Sequence, residues 1–296
     1  MSTAVLTPDL ALPAAAPRRG YWRGVLHQLA RNPVAVVSAA VLLLIVLAAV
    51  FAPWIAPADP FKASMIRRLL PIGSAGHWLG SDELGRDMLT RLIYGGRLSL
   101  LMGVLPVLFA FVIGTSFGVI AGYLGGWVNM LVMRTFDVFY AFPSVLLAVA
   151  VAGALGPGMG NSLIALTLVF VPQVVRVAES VTTQVRELDY VNAARLSGAG
   201  ALSIIRVHVL GNVLGPVFVY ATGLISVSMI LASGLSFLGL GVKPPEAEWG
   251  LMLNTLRSAI YVNPLLAALP GVMIFVTSMA FNLLADGVRS AMDIRR

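Results

Sequence analysis

The chain has 296 residues, of which 58% are hydrophobic and only 11% are charged. About a quarter of the residues in a soluble domain are charged, so this chain lacks the polar surface that a water-soluble globule needs. Its net charge of +7 is scattered over short loops, which is typical of a membrane protein and argues against a nucleic-acid partner. The absence of cysteine excludes disulfides, thiolate nucleophiles and Cys-based metal sites.

Stretches without Asp, Glu, Lys or Arg predict the membrane-spanning helices, because about 20 apolar residues cross the hydrocarbon core. Six helices are predicted, at about 34–53, 97–122, 129–155, 161–178, 213–238 and 264–286. Residues 1–32 are predicted to be a cytoplasmic N-terminal tail, and 33–296 a transmembrane domain with a cytoplasmic loop at 179–212. We therefore predict an all-α, polytopic integral membrane protein.

The mixed segment before the second helix contains Asp82 with Arg86 and Asp87 with Arg91, each pair four residues apart. Opposite charges at this spacing stabilise a helix by a few tenths of a kcal/mol. The pattern predicts a short, solvated helix at the membrane surface.

A glycine recurs every four residues near the end of the second helix, at Gly114, Gly118, Gly122 and Gly126. Glycines at this spacing lie along one face of a helix and allow a neighbouring helix to approach closely. They predict tight helix packing and not a hinge.

Arg134 and Asp137 stand three residues apart near the start of the third helix. A carboxylate in an apolar run is normally paired or functional, and we favour a structural ion pair here over a proton relay. The glycine-rich turn at 156–160 predicts that helices 3 and 4 form an antiparallel hairpin.

The sequence lacks the motifs of common membrane-associated enzymes. A phosphate-binding P-loop needs Gly-Lys-Ser/Thr, but Lys62 is followed by Ala and Lys243 by Pro. The three histidines, His27, His77 and His208, lack metal-ligand spacing. We therefore predict that the chain is not an enzyme and holds no cofactor or metal of its own.

A polar island at 186–211 separates two membrane-length apolar runs, so it must lie in water on one face of the bilayer. Asp189 is predicted to cap a short helix, Tyr190 to Ser197. Gly198 and Gly200 suit the end of this helix.

The remainder of the island, Ala201–Val209, predicts a second short helix. Its predicted apolar face consists of Leu202, Ile205 and Val209. Ala193 and Ala194 keep one face of the first helix thin, so that a partner could approach closely. The residues alone favour equally a projecting knob that docks a partner and an amphipathic linker on the membrane surface.

The island resembles a cytoplasmic loop of ABC importer permeases with the pattern Glu-Ala-Ala, three residues, Gly, nine residues, Ile-x-Leu-Pro. Asn192-Ala193-Ala194, Gly198 and His208-Val-Leu-Gly211 keep this spacing. Asn192 replaces the Glu, His208 the Ile and Gly211 the Pro of that pattern.

Further stretches resemble the dipeptide/oligopeptide/nickel permease family, and in particular its second, "C"-type permease. These are, in order, Trp78–Asp87, Arg91–Gly95, Arg134 with Asp137, Pro143, Leu235–Gly241, Trp249-Gly250 and Phe281–Arg289. An acidic residue often found in this family a turn before Leu235 is replaced here by Ala232.

The resemblance implies a type I ABC importer permease fold. It implies the permease subunit of an ATP-driven, binding-protein-dependent importer of dipeptides or oligopeptides in the bacterial inner membrane. The implied partners are a second permease subunit, two cytoplasmic ATPase subunits that bind ATP and Mg, and an extracytoplasmic substrate-binding protein. Each permease would form half of the translocation path.

The resemblance also implies that the island contains a coupling helix that docks one ATPase. The implied docking residues are Asp189, Tyr190, Asn192, Ala193, Ala194, Arg195 and Gly198. Asn192 lacks the charge of the family's Glu, so a charge-assisted bond would be weakened, and Arg195 is expected to contribute instead.

Twelve of the 20 Lys and Arg residues fall on the side of the two termini, so the positive-inside rule favours cytoplasmic termini. Two alternatives remain open at this point. One is an importer permease of the same family for nickel complexes or other small solutes. The other is a stand-alone pore or secondary transporter.

Overall fold

The computed structural model describes residues 21–293, and every regular element in that range is a helix. The helices are α1 (Tyr21–Arg31), α2 (Pro33–Val50), α3 (Ala52–Ile55), α4 (Met88–Leu124), α5 (Gly126–Tyr140), α6 (Ser144–Leu155), α7 (Met159–Arg186), α8 (Asp189–Leu196), α9 (Ala201–Ile204), α10 (Leu210–Phe237), α11 (Trp249–Thr255) and α12 (Pro264–Asp293). A π-helical stretch, Ile205–Val209, joins α9 to α10, and two 3-10 turns lie at Met65–Arg67 and Arg257–Tyr261.

Five of these helical segments are long and apolar enough to cross a membrane: α2, α4, α7, the continuous segment Ala201–Phe237, and α12. The bent pair α5–α6 gives a sixth span when its two helices are counted together. The predicted all-α, polytopic architecture with six spans is confirmed. The main core lies between α4, α6, α7 and α10, and a second cluster surrounds Trp249.

The N-terminal tail predicted for 1–32 contains helix α1. Its residues 1–20 lie outside the described part of the chain, as do Arg295 and Arg296 at the other end. Asn32 separates α1 from α2, because its side chain accepts hydrogen bonds from the N–H groups of Val34 and Ala35 at 3.1 and 3.3 Å.

Helix α4 begins nine residues before its predicted start at about 97. Asp87 caps the helix by accepting a hydrogen bond from the Thr90 N–H at 2.8 Å. The prediction assumed that charged residues mark the end of a span, but Arg97 lies within α4 and donates to the carbonyls of Ala49 and Val50 at 2.6 and 2.8 Å. These carbonyls belong to the last turn of α2, which the arginine therefore stabilises.

The predicted single helix at about 129–155 is broken. Helices α5 and α6 meet at an angle of 86°. Pro143 lies at the break and disfavours helical backbone at Phe142, the residue before it. The helix predicted at about 161–178 is longer than expected, since α7 continues to Arg186.

The glycine stripe of α4 packs against α7. A Cβ added to Gly114, Gly118 or Gly122 would lie within 2.8 Å of a side-chain atom of Val174, Ala178 or Thr182, respectively. Only glycine allows so close an approach, which confirms the predicted tight packing for these three positions. Gly126 differs, since it begins α5 and a Cβ there would meet no atom within 4 Å.

We expect Gly118→Ala to lower the melting temperature of the protein in detergent. The added methyl would lie 2.6 Å from the Ala178 Cβ, and overpacking of a well-packed core costs roughly 1–3 kcal/mol. Gly223→Ala is the matched control, because Gly223 lies in α10 and its added Cβ meets no atom within 4 Å. Equal melting temperatures for the two variants would show that α4 and α7 tolerate separation.

Candidate functional site

The polar island begins with helix α8, Asp189–Leu196. The prediction that Asp189 caps this helix was wrong, because Leu188 occupies the N-cap position and Asp189 is the first helical residue. The carboxylate still lies in the first turn, where it interacts favourably with the helix dipole. Gly198 ends the helix with a φ of +81°, as predicted, whereas Gly200 has an extended φ of −67° and precedes α9.

One side of α8 is anchored to the membrane helices. Val191 is fully buried, and Ala194 is partly buried against the main core. The Arg195 guanidinium lies 5.1 Å from the centroid of the Tyr123 ring, near the end of α4. The Tyr190 hydroxyl accepts a hydrogen bond from Asn212 of α10 at 3.0 Å. Helix α8 is therefore held by both α4 and α10.

The opposite side of α8 is an outward face formed by Asp189, Ala193 and Leu196, three exposed residues at positions i, i+4 and i+7. Leu196 is 90% exposed although its side chain is apolar. Leu196 was not among the predicted docking residues, although its spacing from Val191 places it on the other side of the helix. An anchored helix with an apolar outward residue is suited to contact a partner protein.

The predicted docking residues therefore divide between the two sides. Asp189 and Ala193 belong to the outward face, whereas Ala194 packs inward, so the predicted thin face is only half correct. Asn192 is half-buried: its Nδ2 donates to the Glu187 carbonyl at 3.3 Å, and its Oδ1 accepts from Arg195 at 3.5 Å. The polar groups of Asn192 therefore form hydrogen bonds within the loop, to Glu187 and Arg195.

The second short helix predicted at Ala201–Val209 is part of one continuous helical segment that reaches Phe237. Its predicted apolar face was partly wrong, since Leu202 is exposed while Ile204 and Val209 are buried. The π-helical stretch explains the difference, because i→i+5 bonding brings residues five apart to the same side. Gly211, which replaces the family's Pro, continues the helix without a break.

The helix predicted from the charge pairs near residue 82 is absent, and residues 81–87 form a loop. The Asp82 carboxylate accepts hydrogen bonds from the N–H groups of Leu84 and Arg86 at 2.9 Å and pairs with the Arg86 side chain at 2.6 Å. Asp87 pairs with His77 at 2.9 Å and not with Arg91. These charged residues are buried, so the predicted solvated helix was wrong in both shape and exposure.

Arg91 joins the loops at the end of the helix bundle where α4 begins. It is 2% exposed and donates to the carbonyls of Pro60, Pro245 and Glu246 at 3.1 to 3.3 Å. Its Nε also lies 3.1 Å from Asp82. One guanidinium therefore holds three chain segments that are far apart in sequence.

Glu248 is a second buried anchor of the same region. Its carboxylate accepts hydrogen bonds from the N–H groups of Gly250 and Leu251 at 2.8 Å and from the Ser99 hydroxyl at 3.0 Å. The Glu248 side chain thus caps α11 and fixes it to α4. Within residues 21–293 no group of three or more His, Asp or Glu side chains has the arrangement of a metal site.

A third polar cluster lies where α5 meets α6. Arg134 and Asp137 approach to 3.9 Å, as the sequence predicted, but Asp137 has a closer partner in Arg176 of α7 at 2.5 Å. The Arg176 guanidinium also lies 4.4 Å from the centroid of the Tyr140 ring. Sequence spacing could not reveal Arg176, because it is 39 residues from Asp137.

Comparison with known proteins identifies the family. Residues 114–296 match the family described as the binding-protein-dependent transport system inner membrane component. Residues 20–71 match the N-terminal transmembrane domain of oligopeptide transport permease C. The chain belongs to the binding-protein-dependent permease family. It is therefore the membrane permease component of an ABC importer, as the sequence motifs predicted.

Among the relatives of this permease is the glutathione transport system permease protein GsiD of Pectobacterium atrosepticum, 40% identical over 94% of this chain and 91% of that protein. The di/tripeptide transport system permease protein DppC of Pseudomonas aeruginosa is 41% identical over 97% of this chain and 94% of that protein. A chain of the inward-facing MetNI methionine ABC transporter shares the fold, with a TM-score of 0.56 and 20% identity over 69% of the permease and 97% of that chain.

Proposed function

We propose that this permease imports dipeptides or oligopeptides and docks a cytoplasmic ATPase through the outward face of α8. The observation that carries the docking proposal is Leu196, an apolar residue that is 90% exposed on a helix anchored to the membrane domain. An exposed apolar side chain at a fixed position is suited to a pocket on a partner. Asp189 and Ala193 complete the contact surface.

The working importer contains a second permease, two ATPase subunits and an extracytoplasmic substrate-binding protein. ATP and Mg are bound by the ATPases, and this chain performs no chemical step. It forms half of the translocation path. The loops tied together by Arg91 and Glu248 face the binding protein on the outer side.

Both termini and α8 lie on the cytoplasmic side. Arg195 of α8 packs on Tyr123 near the end of α4, so α8 lies at the same end of the helix bundle as the α4–α5 turn. The Lys and Arg distribution favours the cytoplasm for this side. Gly287 of α12 lies against Ala35 at the start of α2, which brings the two terminal regions together.

Transport follows an alternating-access cycle. Closure of the ATPase dimer on ATP displaces α8, and the buried Val191 and the Arg195–Tyr123 contact transmit the displacement to α4. The Tyr190–Asn212 hydrogen bond transmits it to α10. Because α4 packs tightly on α7, these helices move together.

The names of the relatives support peptides as the substrate class. They include a dipeptide permease of Alkalihalophilus pseudofirmus, 40% identical, and a probable D,D-dipeptide permease of Escherichia coli, 38% identical. Glutathione, itself a tripeptide, is a second candidate substrate, because several relatives are glutathione permeases.

Reconstitution of the four-component importer in proteoliposomes tests the proposed function. We expect uptake of a labelled dipeptide to require ATP, the ATPase subunits and the binding protein together. Uptake by this chain alone, in the absence of ATP, would instead support a stand-alone pore. Uptake of a nickel complex with no uptake of peptides or glutathione would overturn the substrate class.

A further inference from the structure

The polar cluster at the α5–α6 break lies within the depth of the membrane. Arg176 is 17 residues from the outer end of α7 at Met159 and 10 residues from its other end at Arg186. At 1.5 Å per residue these separations are roughly 26 and 15 Å, so a span across a hydrocarbon core of about 30 Å places Arg176 inside that core. Arg176 therefore lies inside the core, nearer to its cytoplasmic boundary than to its outer one.

The charged groups of this cluster are accessible despite their depth. The side chains of Arg176 and Asp137 are 49% and 37% exposed in the isolated permease. Contact of such groups with lipid is costly, and intramembrane charges almost always face a water-filled cavity or the interior of an assembly. This side of α5 and α7 must therefore face the aqueous path or the second permease.

The broken backbone supports the same orientation. Interrupted helices at membrane depth occur where the free backbone groups are buried in protein or line a water-filled cavity. A cavity of about 230 Å³ lies at the break. Its walls include Tyr140, Phe142, Ser144, Leu147, Val169 and Gln173.

Arg176 stands at the edge of this cavity. It lies one turn after Gln173 on α7 and is stacked on Tyr140, and both of these residues line the cavity. Inside the cavity, the Gln173 amide and the Tyr140 and Ser144 hydroxyl groups provide polar contacts, whereas Phe142, Leu147 and Val169 provide an apolar wall. The Arg176 guanidinium lies beside the cavity, against Tyr140. This combination suits a ligand with one charged end and a variable side chain.

The net charge of the cluster indicates that the charged end of the ligand is negative. Arg134 and Arg176 share the single carboxylate of Asp137, so the three side chains carry a net positive charge. A guanidinium binds a carboxylate through two parallel hydrogen bonds. Arg134 is already 3.9 Å from Asp137 and can hold that carboxylate when Arg176 changes partner.

We propose that Arg176 binds the C-terminal carboxylate of the peptide during its passage, while the cavity receives the side chain of the last residue. This inference rests on the proposed peptide import and names a transient binding site for that substrate. The site lies in the membrane and is separate from the binding protein, which selects the peptide first.

The test compares uptake of Ala-Ala with uptake of its C-terminal amide by the complete importer in proteoliposomes. Each peptide is supplied at a concentration that saturates the binding protein, so that the two loaded forms are equally abundant. The amide cannot form the charge-assisted bond to Arg176, so we expect the wild type to import the free peptide about tenfold faster than the amide, a difference of about 1.4 kcal/mol. In Arg176→Gln we expect this ratio to fall close to one, because only uptake of the free peptide slows.

Two further variants make the result interpretable. Asp137→Asn removes the carboxylate that competes for Arg176, so the preference for the free peptide is expected to increase. Arg31→Gln is the control for loss of a positive charge, since Arg31 is exposed at the end of α1 and distant in sequence from the cluster. Retention of the ATPase subunits checks the folding of every variant.

An unchanged ratio in both Arg176→Gln and Asp137→Asn would overturn the carboxylate site while leaving peptide import intact. Equal slowing of the two peptides in Arg176→Gln would also overturn it, since that result indicates a purely structural ion pair. A wild-type importer that transports neither peptide would overturn the proposed substrate class, and the carboxylate site with it.

Discussion

Replacing Leu196 with arginine is expected to release the ATPase from the permease complex. Leu196 is the most exposed residue of the outward face of α8, and its neighbour on that face one turn earlier is the small Ala193. A central apolar contact contributes about 2 kcal/mol or more to a protein interface, and a charge placed in the same pocket adds a desolvation cost. We expect at least a 30-fold loss of affinity, measured as ATPase retained on the purified permease.

The control for this variant is Ile66→Arg. Ile66 is 97% exposed, but it belongs to the loop segment 56–87 at the other end of the membrane helices. Its replacement adds the same charge to an equally exposed apolar position and should leave ATPase retention unchanged. Normal retention by Leu196→Arg would show that α8 docks no ATPase through this face.

Replacing Arg91 with methionine is expected to destabilise the loops that pack around the start of α4. The change would leave the carbonyls of Pro60, Pro245 and Glu246 without their donor and remove one cationic partner of the buried Asp82. Removal of one partner of a buried ion pair typically costs about 3–5 kcal/mol. The melting temperature in detergent should fall, and protease cleavage of the loops should become faster.

Arg257→Met separates this effect from the loss of a positive charge alone. Arg257 is exposed, lies on the same side as Arg91 and forms no ion pair among the described residues. We expect its melting temperature to match the wild type. A melting temperature for Arg91→Met that also matches the wild type would mean that the three loop segments are held together by other contacts.

The number and type of the spans could be predicted from the sequence, because a helix that crosses the hydrocarbon core needs a run of about 20 apolar residues. Their ends could not, since charged residues do not always mark the limit of a helix. Arg97 lies inside α4 because its side chain reaches the carbonyls that end α2. The break in the third span lies at Pro143, and the sequence analysis, which predicted one continuous helix there, did not foresee it or the 86° angle between α5 and α6.

Charge pairs four residues apart did not predict the structure of the loop that precedes α4. Asp82 and Arg86 do pair, yet they do so across a turn in which Asp82 also binds two backbone N–H groups. Asp87 takes His77 as its partner, and Arg91 binds distant carbonyls. The fold of the loops sets these partners, and a four-residue spacing does not encode it.

The position of α8 could be predicted from the spacing of its motif, but the side that faces a partner could not. Ala194 and Arg195 belong to the anchored side because Val191 is buried and Tyr123 lies beside Arg195. The outward face is therefore defined by Asp189, Ala193 and Leu196, of which only the first two were predicted.

Site-specific photocrosslinking tests the docking of α8 most directly. The chain contains no cysteine, so Leu196→Cys and Ile66→Cys each introduce its sole thiol, which can carry a benzophenone probe. In the complete importer we expect the probe at position 196 to form an adduct with the ATPase subunit and the probe at position 66 to form none. Absence of an ATPase adduct from position 196, in a complex that retains the ATPase, would contradict docking through the outward face of α8.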